Sequence, residues 1–204
     1  MTILTELLVR ALCDEMPSTE IDAAYLFSQT RDNQQSALDT GVKLFEENKT
    51  QKILITDSEP RSGYLGFSVW FQQLVQMGVP EENLQGVPTH DFPVLHTLAE
   101  ATAVVRYAKA QALKTLLVVS PPFHMLRAFM TTVSVALRDY PSLKIFSQPG
   151  RTLPWKEVVV HSQGTLNLVR HDLIHSEIER IATYQAKGDL AATQDVLAYL
   201  NQRT

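Results

Sequence analysis

One cysteine, Cys13, stands among 204 residues, so no disulfide can form within the chain and a reducing compartment is expected. The same scarcity excludes a thiolate zinc cluster. The six histidines never fall into HExxH or another tight ligand spacing, so no metal site is expected. Basic residues are outnumbered: 18 Lys and Arg against 22 Asp and Glu give a net charge of -4, with no basic stripe to offset it. Nucleic acid is therefore not expected as a partner. Apolar runs are short, and none approaches the ~20 residues that span a bilayer, so no membrane association is expected. The opening "MTILTELLVRALC" interrupts its apolar residues with Glu6 and Arg10 and lacks a cleavage-like small-residue site. It reads as an amphipathic helix, and the chain as a cytoplasmic protein. Glycine signatures are missing too. There is no GxGxxG fingerprint, no phosphate loop ending in Gly-Lys-Ser/Thr, and no GxSxG elbow, which disfavours a serine hydrolase of the α/β type.

What is present suffices for a core: 45% of residues are hydrophobic and 20% charged. The length suits one α/β domain with an appendage. "IDAAYLFSQ" (21–29), "KILIT" (52–56), "TLLVV" (115–119) and "LKIFS" (143–147) read as strands, with a shorter one in "ENLQGVP". Between them, apolar residues recur at helical spacing: Ala37, Leu38, Gly41, Leu44 and Phe45; then Phe67, Trp70, Phe71, Leu74 and Met77; then Leu95, Leu98 and Val105. Asp32 or Asn33 is available to cap the first of these helices, and a further helix runs from about Phe123 to Leu137. This alternation predicts a Rossmann-like, doubly wound α/β fold, a mainly parallel sheet with helices on both faces. Residues 1–150 (core 21–150) are expected to form that domain. Residues 151–204 are expected as a C-terminal appendage: a late strand at "EVVVH" (157–161), a helix through Leu173, Ile174, Ile178 and Ile181 closing at Gly188, and a last helix capped by Asp189. The appendage would pack on the core or on a second copy, making a homo-oligomer through the C-terminal helices.

In open parallel sheets, ligands sit outside the carboxyl ends of the strands. Those ends carry Ser28-Gln29-Thr30, Asp57-Ser58, Ser120 with His124, and Gln148, and the helix opening at "HTLAEA" (96–101) joins from the side. In "SPPFHMLR" two prolines remove backbone donors from a helix entrance, which shifts anion recognition to Ser120, His124 and Arg127. His124 and Arg127 share a helical face; the plainer account is a solvated Arg and a His hydrogen-bonded inside the fold. Thr97 with Glu100 three residues later is a capping-box pattern, and Glu100 is also a candidate general base or the group that fixes the His124 tautomer. Arg31 is a ligand arm or a surface residue. "DSEPRSGYLG" is a surface turn or a loop whose Gly63 and Gly66 let backbone approach a ligand. His161 is more readily structural.

The succession "KILIT", "MGVPEENL", "HTLAEA" and "LLVVSPPFHMLRAF" resembles the YdcF/SanA-like family, the domain of unknown function 218, over roughly residues 21–150. The family's Thr/Ser-x-x-(Phe/Tyr)-His-Met-x-Arg-Ala motif is matched at Ser120, Phe123, His124, Met125, Arg127 and Ala128. Its helix start is matched at Thr97, Glu100 and Ala101, with His96 in place of the usual Asn. Its glycine-rich first loop is here "SQTRDN", its Ser-Gly-Gly after the second strand is "TDSEP", and 63–79 contains no Asp or Glu where the family carries an acidic residue. The resemblance implies a Rossmann-like fold, a pocket around the His/Arg motif and, from some members, S-adenosylmethionine as a ligand; it implies no reaction. The combined expectation is a small-molecule-binding protein, acting as an enzyme on a nucleotide-like or phosphorylated metabolite. Arg127 would hold an anionic group, His124 would move a proton or donate a hydrogen bond, and Glu100 would orient it. Ser28, Gln29, Thr30, Asp57, Thr97 and Ser120 would line the site. The alternative is a non-catalytic ligand sensor or an interaction scaffold built on the C-terminal helices.

Overall fold

The computed structural model describes residues 3–161 and 165–203; the "SQG" that follows His161 lies outside them. The short apolar runs become strands β1 (Ala23–Leu26), β2 (Ile53–Asp57), β3 (Leu84–Pro88), β4 (Thr115–Ser120) and β5 (Lys144–Pro149). All four pairings are parallel, in the order β3-β2-β1-β4-β5. Runs this uniformly apolar suit a sheet buried on both faces. In β4, Leu116 and Val118 enter one hydrophobic layer while Leu117 and Val119 enter the other.

Helices α2 (Gln34–Glu46) and α3 (Phe67–Gln76) cover one face; α1 (Ile3–Leu12), α4 (Thr97–Ala110) and α5 (Pro122–Asp139) cover the other. The fold is thus the doubly wound α/β class. Gly41 lets α2 lie close on β1, since a Cβ there would meet Leu26 Cδ1 at 2.7 Å. Among the described residues no helix is long and apolar enough to cross a membrane. The strand order fixes where a crevice opens. The chain leaves β1 toward β2 and β3, then returns past β1 to β4, so the connections at the carboxyl ends of β1 and β4 diverge to opposite faces.

The tail departs from its expected form in three ways. Its late strand β6 (Val158–His161) has an antiparallel partner, β7 (Leu166–Val169), so the segment is a hairpin. Helix α6 (Asp172–Ala186) does close at Gly188, which takes a φ of 79°, but Asp189 caps nothing. Helix α7 (Thr193–Gln202) starts later, with Ala192 at its N-cap and no side-chain bond there. Of the two placements expected for the tail, on the core or on a second copy, its described helices take the first. Ile181, Leu190, Val196, Leu197 and Leu200 share one core with Leu7, Phe129 and Val133. An amphipathic helix must bury its apolar stripe somewhere, and these two bury theirs in their own chain rather than offering it to a second copy.

The outer edge of β5 is closed by side chains. Ile145 N–H donates to Tyr199 Oη (2.6 Å), Arg203 Nη1 donates to the Ile145 carbonyl (2.6 Å), and Ser147 N–H donates to Asp14 Oδ2 (2.9 Å). Arg203 also pairs with Asp14 at 2.5 Å and lies 4.1 Å above the Phe146 ring.

Candidate functional site

The loop leaving β1 is fastened to the tail hairpin. Thr30 Oγ1 donates to the Val160 carbonyl (2.6 Å), Asn33 Nδ2 donates to the same oxygen (3.3 Å), and Asp32 Oδ2 accepts the Val160 N–H (2.8 Å). Buried Arg170, just after β7, donates to Asn33 Oδ1 and to the Asp32 carbonyl, both at 3.0 Å, and pairs with Glu157 at 3.0 Å. This corrects the expectation that Asp32 or Asn33 caps α2: both side chains are committed to the hairpin, and the Asn33 N-cap makes no side-chain bond to the helix. In a dinucleotide-binding sheet this first turn approaches a pyrophosphate. Here β6 covers it.

Beside that covered turn a cavity of about 360 Å³ opens at the β1/β4 divergence. Of the expected residues, Ser28, Gln29, Thr30, Thr97, Glu100, His124 and Arg127 line it. Three do not. Asp57 is exposed at the end of β2, on the far side of β1 from the divergence, and its carbonyl accepts the Thr89 N–H (3.4 Å). Ser120 is fully buried behind His124, and Gln148 faces a different cavity beside α2. Arg31 is an exposed surface residue. The loop after β2 does contribute, through Ser62 and Tyr64.

His124 is bonded at both ring nitrogens. Nδ1 lies 2.8 Å from Ser120 Oγ and 3.3 Å from Gln29 Nε2; Nε2 lies 3.1 Å from Thr97 Oγ1. An amide nitrogen can only donate, so Gln29 assigns Nδ1 as an acceptor and puts the ring proton on Nε2, aimed at Thr97. Burial, followed by the charge of Arg127, pushes the imidazole down to about 3. The ring is therefore neutral at ordinary pH. Thr97 Oγ1 also accepts Arg127 Nη1 at 2.6 Å. With two donors on its oxygen, the hydroxyl hydrogen of Thr97 is left to donate into the cavity it lines. The group presented to a ligand is thus Thr97, with His124 and Arg127 holding it.

Glu100 is not a capping residue and does not touch His124, which corrects both expectations. The N-cap of α4 is His96, whose Nδ1 accepts the Ala99 N–H (3.2 Å). The Glu100 carboxylate instead reaches the end of β1, where Oε2 accepts the Ser28 N–H (2.8 Å), Tyr25 Oη (2.9 Å) and Thr56 Oγ1 (2.9 Å). Three donors from the sheet outcompete one backbone N–H of its own helix. Burial raises its proton affinity and these hydrogen bonds lower it; the balance leaves the carboxyl above its usual range. Glu100 thereby becomes a buried, protonatable group on the cavity wall, the standing an acid–base catalyst needs.

The remaining wall comes from the tail, which sequence reasoning did not associate with the site. Glu177 on α6 binds Arg127 through two oxygens, Nε at 2.5 Å and Nη2 at 3.0 Å, and accepts His161 Nε2 at 3.3 Å. Arg180 Nη1 stands 3.6 Å from the same carboxylate. Burial alone would raise the Glu177 proton affinity; the Arg127 guanidinium and the hydrogen bonds outweigh it and hold the carboxyl well below its usual range. Three of the five Arg127 N–H groups are therefore engaged inside the protein, and its expected role as an anion clamp is reduced to the two that remain. His161 sits in the wall, edge-on to Phe123 and hydrogen-bonded to Glu177. One signal was available for α6: Glu177, Arg180 and Tyr184 recur at helical spacing next to the apolar Leu173 and Ile181.

Among the described residues, no group of three or more His, Cys, Asp or Glu is placed to hold a metal ion. No protein-family model matches this chain, and no curated protein matches it.

Proposed function

We propose that this chain binds a small anionic metabolite, phosphorylated or nucleotide-like, in the cavity at the β1/β4 divergence, and acts on it by proton transfer through Glu100. The observation that carries this reading is the charge balance of the wall. Two guanidiniums, Arg127 and Arg180, line the cavity; the ionised carboxylate described beside them, Glu177, is buried behind that lining, and Glu100 is pushed toward its neutral form. The cavity is thus electropositive although the whole chain is acidic, and Thr97 adds an oriented hydroxyl donor. The His/Arg motif that resembles the YdcF/SanA-like family supports the same location; S-adenosylmethionine, the nucleotide-like ligand that resemblance brings in, is a net cation and would meet the guanidiniums only through its carboxylate. A reducing, cytoplasmic setting accords with the single cysteine.

A second reading, ligand sensing without turnover, draws support from His124. An imidazole bonded on both nitrogens and held neutral down to about pH 3 is a fixed donor rather than a proton shuttle. Thermal melts against inorganic phosphate, nucleotides, sugar phosphates and S-adenosylmethionine test the common core of both readings. A true ligand at a hundredfold excess over its Kd raises Tm by on the order of 5 °C in the wild type. Thr97→Val, which deletes the presented hydroxyl and with it the acceptor of His124 Nε2 and Arg127 Nη1, removes most of that shift. An unchanged shift in Thr97→Val places the ligand elsewhere and refutes the reading. Conversion of the bound compound by the wild type but not by Glu100→Gln separates catalysis from sensing.

A further inference from the structure

We infer that a second cavity, sharing a wall with the first, is an ammonium subsite, so that the ligand is a short zwitterion with an anionic group at one end and a protonated amine at the other. The inference rests on the anion reading of the first cavity. The second cavity, about 280 Å³, lies between the start of α4, the first turns of α5 and the α6–α7 connection. His96, Thr97, Arg127 and Tyr184 border both spaces, so one small molecule can reach from one to the other.

Beyond that shared wall the chemistry changes. Leu98 and Leu190 supply apolar surface, and Thr131 turns its hydroxyl back to the Arg127 carbonyl (2.6 Å), leaving its methyl as wall. The one acid is Asp189, half-buried in the connection. Its carboxylate makes no hydrogen bond or ion pair with any described residue, and it faces His96 across the cavity. Burial and Arg127 lower the proton affinity of His96 against the pull of Asp189, and His96 Nδ1 is occupied by the Ala99 N–H. His96 is therefore a neutral donor and supplies no positive charge to Asp189.

A half-buried carboxylate beside leucine walls, unpaired with any described cation, is a ready partner for a cation that a ligand brings. The Tyr184 ring favours a compact cation as that partner, and it already carries the Lys187 ammonium 5.5 Å from its centroid. A lone carboxylate is too few ligands for a divalent metal, which takes six or more oxygens. An amine on a short carbon chain fits the carboxylate, the aromatic ring and the leucine walls together.

Calorimetry on the full chain with three probes tests this: inorganic phosphate, 2-hydroxyethyl phosphate and O-phosphoethanolamine, which differs from the second probe only in its amine. The wild type is expected to bind O-phosphoethanolamine about tenfold tighter than 2-hydroxyethyl phosphate. Asp189→Asn, which breaks no internal hydrogen bond, is expected to keep the wild-type melt, abolish that preference and leave phosphate binding unchanged. Equal affinity for the two esters in the wild type, or a preference that survives Asp189→Asn, overturns the inference alone. If none of the three probes binds, the anion reading falls and this inference with it.

Discussion

His124 and Glu100 sit on neighbouring helices of one cavity, yet burial moves their proton affinities so that their effects on stability oppose each other. The imidazole falls from its ordinary 6.5 to about 3 when folded, so the unfolded chain takes up that proton first. Stability from His124 is complete above pH 6.5 and is lost as pH falls, by about 1.4 kcal/mol per unit. The Glu100 carboxyl is raised from its ordinary 4.5, so its contribution is complete below pH 4.5 and is lost as pH rises. Above pH 4.5 and below 6.5, over the range in which Glu100 titrates, the two slopes oppose. Below pH 4.5 the depressed Glu177 joins His124, and stability drops steeply with acid. Urea unfolding across pH 4 to 7 checks the pair: His124→Gln makes stability fall with rising pH in the middle window, and Glu100→Gln makes it fall with falling pH. Parallel profiles for both variants would contradict these assignments. At this scale the sequence was a partial guide. The stretch 120–128 announced His124 and Arg127 through its prolines and the one-turn spacing of the two side chains. Glu100 was misread because spacing favours the nearest backbone donor, whereas the folded sheet supplies three stronger ones.

Among elements, the five parallel strands were legible because each is a short apolar run that alternates between two buried layers. β7 was not: its four residues are half-buried or exposed, and their pattern is weak without the partner strand that gives them register. The β6–β7 hairpin matters beyond its size, since Arg170 fastens it to the β1–α2 loop through the Asn33 side chain and the Asp32 carbonyl, and to the segment before β6 through the Pro154 carbonyl. Hydrogen bonds to a charged group contribute roughly 1.5–3 kcal/mol each, and removing this side chain leaves buried acceptors unpaired. Arg170→Met is expected to destabilise the chain by about 3 kcal/mol. It should also accelerate amide exchange in 158–161 and 166–169 well before the parallel sheet opens. Because His161 lies in that hairpin, ligand binding weakens in the same variant. Exchange rates equal to wild type in both strands would show that the anchor is incidental.

At the scale of the whole molecule, the residues after 150 join the hydrophobic core of the sheet and its helices. Ile181, Leu190, Val196, Leu197, Tyr199 and Leu200 are buried in the layer that α1, α4 and α5 form over the sheet. Each contributes about 1.5–3 kcal/mol on burial, and together they match or exceed the entire net stability of an ordinary domain. A fragment ending at residue 150 is therefore expected to show exposed apolar surface by dye binding and no cooperative melt. A sharp two-state transition in that fragment would restore the appendage view. No periodicity in the sequence could reveal this, because a buried helical stripe reads the same whether it covers its own chain or another.

The closure of β5 governs how this molecule can meet others. A sheet edge normally offers a neighbour a ladder of free donors and acceptors, the template for strand exchange and for fibrils. With Tyr199, Arg203 and Asp14 occupying the outward groups of Ile145 and Ser147, that template is absent on one side. Loss of the last helix would do more than loosen a core: it would uncover a strand edge, so a chain shortened at its C-terminus becomes a seed for aggregation rather than a merely less stable monomer.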